Sequence, residues 1–426
     1  MSFTALVIVP EHEPLAPENW VGGLPRLQRR ILAAIARAQC DVVHVVAGPK
    51  HKALVQEIAG DRRAQGKVRV HIRDAEIDAV ATVLAQSPDP AWGTPDCVLL
   101  GDVYDPGALK RLLSMRTADQ SLCLKDAQGR PVLLALPKNG VGSLSLHQWL
   151  AAATPVPLQD REFAFVLETG TDLALAQKAL FRALTKPIDG PVSKYINRPI
   201  SKTVTRLTLP LKLIPNHMTA FALVIGLLAS YFTVAAGQSH TMAGIYGGAF
   251  CFTLSSILDG CDGELARLRF LSSHAGEWFD TVCDDVINTC YFVALGVYLW
   301  LTAGSEHFLW LAGVAFVLSW IVVASLYKTL IAAGRASHLD LSFSFDKDGG
   351  GSVGPLGWVL SKLHVIMKRD FYALAIPVIV VLGGVRPLFY LVSLAQVLLF
   401  VVIVREQWAL ASGQKQSATV NRTGRP

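Results

Sequence analysis

In the stretch SSILDGCDGELARLRFLSSHAGEWFDTVCDDVIN, Asp259 and Asp262 are three residues apart and Asp280 and Asp284 four apart. On helices, each pair shares one face. The 17 residues from Gly263 to Phe279 leave room for a helical hairpin that brings the two faces together. Four converging carboxylates repel one another and lose solvation, so either some of them hold protons or cations bind. Magnesium or manganese, both hard oxygen-seeking ions, suits such a donor set, and four carboxylates can share two ions. Magnesium recruits phosphate oxygens, so a phosphate or pyrophosphate substrate is expected. Arg267, on the same helical surface as Gly263, is placed to grip a phosphate as a bidentate donor. Gly263 lets a ligand approach the backbone, and Gly276 lets its helix pack closely on a neighbour. Capping acids or an interfacial ion pair would account for one or two of these aspartates, not for the whole spacing.

The elements that must hold these residues are membrane helices. The chain has 426 residues, 52% of them hydrophobic and only 17% charged, with a mean hydropathy of +0.40. A soluble enzyme carries about 25% charge. The apolar excess is uneven: 1–184 mixes charge and apolar runs like a globular domain, whereas 218–404 is a succession of uncharged stretches. This excludes a wholly soluble, a disordered and a disulfide-scaffold protein. Six spans are expected, at 218–236, 242–258, 279–302, 308–331, 370–384 and 387–404, the fifth being short against the roughly 20 residues that cross a bilayer. The segment from Lys328 to Arg369 is rich in Lys and Arg, including Arg335, Lys347, Lys362 and Lys368, and the 405–426 tail adds more. The loops around Gln238, Glu306 and Val385 hold only Arg386, so both termini are expected in the cytoplasm of a multi-pass inner-membrane protein. Asp348–Gly354, with three consecutive glycines, reads as a mobile loop.

Between the halves, 185–217 carries Lys194, Arg198, Lys202 and Arg206 at four-residue spacing. On a helix they form one basic stripe that would lie along anionic headgroups. The net charge of +6 therefore points to membrane lipids as partners and not to nucleic acid. The seven cysteines show no CxxC spacing and read as reduced, apolar fillers. The start, MSFTALVIVPEHEP, has no basic region ahead of an apolar one, so the first half is expected to stay cytoplasmic. Gly244 and Gly248 form GxxxG, which serves either a dimer face or close packing inside one bundle. Lys328 and Arg335 either bind an anionic acceptor or act only as topology charges. His274 either touches phosphate or faces solvent.

In the first half, β-branched runs at 5–9, 41–46, 68–72 and 97–100 alternate with helical stretches such as 27–38, which predicts a parallel α/β sheet with crossover helices. Three of its stretches, GGLPRLQRRILAAIARA, LLGDVYDPGALKRLL and ETGTDLALAQKAL, resemble the sugar-nucleotidyltransferase fold. That resemblance puts Asp102 at the position of the catalytic metal ligand. The glycine-rich basic loop that should follow strand one is missing, since Val9 runs into PEHEPLAPENWVGG. Without backbone amides and cations to neutralise a triphosphate, the domain is expected to be degenerate.

The membrane half resembles the CDP-alcohol phosphatidyltransferase superfamily, whose signature D-x2-D-G-x2-A-R-x8-G-x3-D-x3-D is met at Asp259, Asp262, Gly263, Ala266, Arg267, Gly276, Asp280 and Asp284. The resemblance implies a six-span all-α enzyme that transfers a phosphoalcohol from a CDP-linked alcohol to a hydroxyl acceptor and releases CMP. It makes the four aspartates ligands of magnesium or manganese, as two ions, and Asp284 also the base for the acceptor hydroxyl. Gly263, Arg267 and Ser273 would contact CDP. IPNHMT resembles the family's PNxxT element, which adds Pro215, Asn216 and Thr219 to the nucleotide site. The resemblance also favours a homodimer. The order of parts is similar to the bifunctional inositol-1-phosphate cytidylyltransferase and di-inositol-phosphate phosphate synthase family. It leaves as alternatives an enzyme that also makes its own CDP-alcohol from CTP, and a nucleotide-binding module with an anchor or transporter.

Overall fold

The computed structural model describes residues 3–10, 16, 19–36, 40–64, 66–73, 95–139, 146–186, 189–332, 334–336 and 369–411. The Asp348–Gly354 loop, Lys347, Lys362, Lys368 and the tail beyond residue 411 lie outside these. The chain divides into two compact units, Met1–Leu184 with Leu268–Leu271, and Thr185–Arg267 with Ser272–Arg425.

In the first unit, seven strands form one sheet: β1 (Phe3–Val9), β2 (Cys40–Ala47), β3 (Val68–Ile72), β4 (Cys97–Leu99), β5 (Leu122–Lys125), β6 (Pro131–Ala135) and β7 (Thr154–Val156). Their spatial order is β7-β5-β6-β4-β1-β2-β3. The continuous apolar run of β1 reflects burial on both faces: Ala5, Val7 and Val9 join one core, Leu6 and Ile8 another. Its neighbours β2 and β4 run parallel to it, as does β3 to β2. The sheet is not wholly parallel, because β6 lies antiparallel between β4 and β5. A tight turn makes that reversal: Asp126 accepts from the backbone N–H groups of Gln128 and Arg130, and Gly129 supplies φ +82°. Among the described residues the unit also holds helices α1 (Arg26–Ala36), α2 (Lys52–Ala59), α3 (Pro106–Ser114), α4 (Leu146–Ala152) and α5 (Gly170–Ala183). A Thr169–Asp172 capping box opens α5.

The second unit is helical. A wide π-type turn, Ser193–Asn197, runs into α6 (Arg198–Thr208), followed by α7 (Pro215–Ser239), α8 (Met242–Arg269), α9 (His274–Ala303), α10 (His307–Ala332), α11 (Arg369–Val381) and α12 (Val385–Ala411). All six expected apolar segments are helices, but five are long and apolar enough to span. Over its 13 described residues, α11 is about 20 Å long, short of the roughly 30 Å hydrocarbon core, and Pro377 lies within it.

Packing inside the bundle bears on two expectations. A Cβ on Gly244 would sit 2.8 Å from Ala236 Cβ, and one on Gly248 would collide with Thr233. The GxxxG pair thus seats α8 on α7, which is the second of its two expected uses, close packing inside one bundle. The basic stripe of α6 does not all face headgroups. Arg198 turns inward to Asp189 at 3.0 Å and Glu264 at 3.1 Å, and Lys202 donates to Thr185 Oγ1 at 2.6 Å. Burial pulls the Lys202 pKa down. Burial opposes charge on Arg198 too, but its bonds to Asp189 and the charges of Asp189 and Glu264 hold its pKa up.

Candidate active site

Ser273 ends the break between α8 and α9: its Oγ accepts from Gly276 N at 3.0 Å and caps α9. Capping starts α9 in the frame that turns Asp280 and Asp284 toward α8. There they meet Asp259, and one carboxylate oxygen from each of the three residues lies within 4.8 Å of the others. Asp280 Oδ1 is buried without a hydrogen-bond partner. An orphaned carboxylate oxygen among like charges is unfavourable unless something cationic arrives, and an all-carboxylate donor set fits a hard divalent ion.

Asp262 faces a different neighbour. Its Oδ2 accepts from the Thr219 hydroxyl at 2.6 Å and its Oδ1 from the Gly263 N–H. Asp262 also interacts with Asp259 and Asp280, so it borders the cluster of three while its other bonds tie it to α7. Thr219, expected beside the nucleotide, is 2% exposed and holds Asp262 in place. Losing such an orienting bond weakens a metal site by about 10- to 100-fold. Thr219→Val is expected to raise the magnesium concentration for half-maximal CMP release by about that factor, as a metal titration of turnover will show.

Of the other expected residues, Arg267 folds back over Gly263, with Nη1 3.3 Å from where a Cβ would stand. A Cβ on Gly276 would lie 3.0 Å from Ser273 Oγ and 3.3 Å from Asn216 Oδ1, so Asn216, Ser273 and Gly276 come together, with Pro215 in the first turn of α7. His274 is exposed. Lys328 is exposed on α10, whereas Arg335 is half-buried. The Thr281 hydroxyl donates to Ala336 O at 2.8 Å, which draws the chain beside Arg335 toward the residue after Asp280.

Asp102, in the first unit, is 6% exposed. Its Oδ2 accepts from Leu167 N at 2.8 Å and its Oδ1 lies 3.5 Å from Arg26 Nε. Burial lowers the Arg26 pKa, while Asp102 raises it. This carboxylate is bonded to protein on both oxygens.

Two groups escaped the sequence reading. Glu264, fully buried, accepts from Ser201 at 2.7 Å, Thr205 at 2.8 Å and Arg198. Asp285 accepts from the Tyr327 hydroxyl at 2.6 Å, whose ring packs edge-on against Trp278. The available signal was spacing: Arg198, Ser201 and Thr205 recur on one face of α6.

By its helices the second unit is a membrane-embedded bundle, and it carries a carboxylate cluster that could hold a metal ion. Residues 212–404 match the CDP-alcohol phosphatidyltransferase family, and this region is a domain of that family. Such phosphotransferases generally depend on divalent metal, in keeping with the aspartate cluster. The chain is similar to a bifunctional IPC transferase and DIPP synthase of Thermococcus kodakarensis, 34% identical over 130 residues, covering 30% of this chain and 28% of that protein. A protein of the same name from Aquifex aeolicus is 23% identical over 266 residues, covering 61% of this chain and 54% of the relative. The chain thus matches between 28% and 54% of the length of these two curated relatives. Among solved structures, 4-diphosphocytidyl-2C-methyl-D-erythritol synthase of Anaerococcus prevotii covers 42% of this chain and 98% of its own, at 12% identity and TM-score 0.29.

Proposed function

We propose that the second unit transfers a phosphoalcohol group from a CDP-linked alcohol to a hydroxyl acceptor and releases CMP. The observation that carries this reading is the meeting of Asp259, Asp280 and Asp284 around an oxygen with no partner, within a domain of the matching family. Asp259, Asp280 and Asp284 hold magnesium or manganese as two ions, with Asp262 completing the set from its anchor on Thr219. A bound divalent cation neutralises the pyrophosphate and the charge that grows on departing CMP. Arg267 grips the diphosphate over the bare backbone of Gly263. Ser273, Pro215, Asn216 and Thr219 frame the nucleotide. Asp284 takes the proton of the acceptor hydroxyl. The acceptor oxygen bonds to the phosphorus bearing the donor alcohol, and the bond from that phosphorus to the CMP oxygen breaks, its electron pair leaving with CMP. Arg335, with Lys328 further out, receives an anionic acceptor.

In this reading 218–404 is the transferase, 185–217 its juxtamembrane segment and 405–426 a tail. The protein sits in the inner membrane with both termini cytoplasmic, as a homodimer whose face is not the GxxxG pair, and its partners are lipids and not nucleic acid. The 1–184 domain is degenerate, since Arg26 and Leu167 N take up Asp102. A second reading, in which that domain still makes the CDP-alcohol, is favoured by the relatives' description as bifunctional. An anchor or transporter needs no carboxylate cluster.

The test is full-length protein in detergent with magnesium, CDP-diacylglycerol or CDP-inositol, and glycerol 3-phosphate or inositol 1-phosphate. CMP release that EDTA abolishes and magnesium restores is expected. A metal-independent reaction would sink the site, and pyrophosphate from CTP plus inositol 1-phosphate would establish the bifunctional reading.

A further inference from the structure

The antiparallel helices α8 and α9 form a ladder whose rungs continue below the carboxylates. Asp259 faces Asp280 and Asp284. Two rungs deeper, Phe252 and Tyr291 stack with ring centroids 4.2 Å apart. Between them, helical spacing places Ser256, three residues before Asp259, and Asn288, four residues after Asp284. Ser256 is 6% exposed. Both Ser256 Oγ and Asn288 Oδ1 are buried with no hydrogen-bond partner. Two orphaned polar atoms at one level of a membrane bundle are expensive.

We propose that Ser256 and Asn288 form a hydroxyl subsite under the carboxylates, which takes a second hydroxyl of a polyol acceptor. The inference rests on the phosphoalcohol-transfer reading and narrows its acceptor class. Neither residue is charged, so the layer does not suit a phosphate. A hydroxyl donates to Asn288 Oδ1 and accepts from Ser256 Oγ at once. The layer lies one turn, about 5.4 Å, from Asp284, within the span of a short polyol. A hydroxyl held there fixes its neighbour against the base, which is an orientation effect.

The experiment uses full-length Ser256→Ala and Asn288→Leu in detergent with magnesium. Inositol 1-phosphate is the polyol probe and 1-propanol the control acceptor. Each variant is expected to raise KM for inositol 1-phosphate about 3- to 10-fold, leaving KM for the CDP donor and the half-saturating magnesium unchanged, and leaving 1-propanol unaffected. Because each change removes an unpartnered polar atom, the thermal midpoint should hold or rise. A fall in midpoint with unchanged acceptor KM would make the pair structural and overturn the proposal. Equal KM values in wild type and variants would do the same, leaving only a buried water in the layer. Equilibrium binding of labelled inositol 1-phosphate separates the two readings. If wild type binds it, the variants do not and no CMP is released, transfer fails while the subsite stands. No saturable binding by wild type overturns the subsite itself.

Discussion

Asp284→Asn is expected to lower CMP release by roughly 10³-fold or more while the protein still folds and inserts. Asparagine keeps the shape and one oxygen of the side chain but cannot accept the acceptor's proton. Loss of a general base alone costs about 10²- to 10⁴-fold, and a lost charge in the donor set adds to it. The loss should appear in kcat and kcat/KM together, because the interaction develops as the hydroxyl loses its proton. A stability measurement excludes misfolding. In metal-free protein three carboxylates stand within 4.8 Å, so removing one charge relieves repulsion. The thermal midpoint of Asp284→Asn without metal should match or exceed that of wild type, while its gain on adding magnesium should shrink. Turnover within threefold of wild type would remove Asp284 from the chemistry.

That trade between stability and activity explains why this site was readable in the sequence. Aspartates at three- and four-residue spacing in a membrane chain serve no packing purpose, so their pattern stands out against the apolar background. The spans were legible for the same reason: an uncharged run of membrane length has few other uses. In the first unit, β1 and β2 were visible as buried β-branched runs. The antiparallel β6 was not, because PVLLA reads alike in either direction and only the Asp126–Gly129 turn decides it. Side-chain commitments were harder still. Arg198 and Lys202 form a basic stripe on paper, yet their partners Asp189, Glu264 and Thr185 lie on other segments. Spacing shows Asp262 as a site carboxylate, but not its bond to Thr219, 43 positions earlier. Spacing along a helix gives the face; the residue opposite that face comes from tertiary structure.

The same distinction sets the second large effect, at Glu264. Its carboxylate is fully buried and takes bonds from Arg198, Ser201 and Thr205, which clamps α6 to the helix that carries Asp259 and Asp262. Glu264→Ala leaves Arg198 with Asp189 and the Gly260 carbonyl and takes the carboxylate acceptor from the Ser201 and Thr205 hydroxyls. Breaking a buried pair from one side costs about 3–5 kcal/mol, and the remaining Asp189 puts the expectation at about 3. Glu264→Gln keeps an acceptor for Ser201 or Thr205 and should lose less than half as much. Cys261 reports on the clamp directly: it is fully buried with its thiol on Ser201 O at 3.5 Å. In Glu264→Ala, α6 lifts away and a maleimide reagent should label Cys261 at least tenfold faster, as peptide mapping will measure, whereas in Glu264→Gln the rate should stay near wild type. Turnover should fall with labelling, because Asp259 and Asp262 ride on the released helix. If Cys261 stays protected in Glu264→Ala and the unfolding midpoint does not move, the buried glutamate does not hold α6, and the donor set is positioned by α7 and α9 alone.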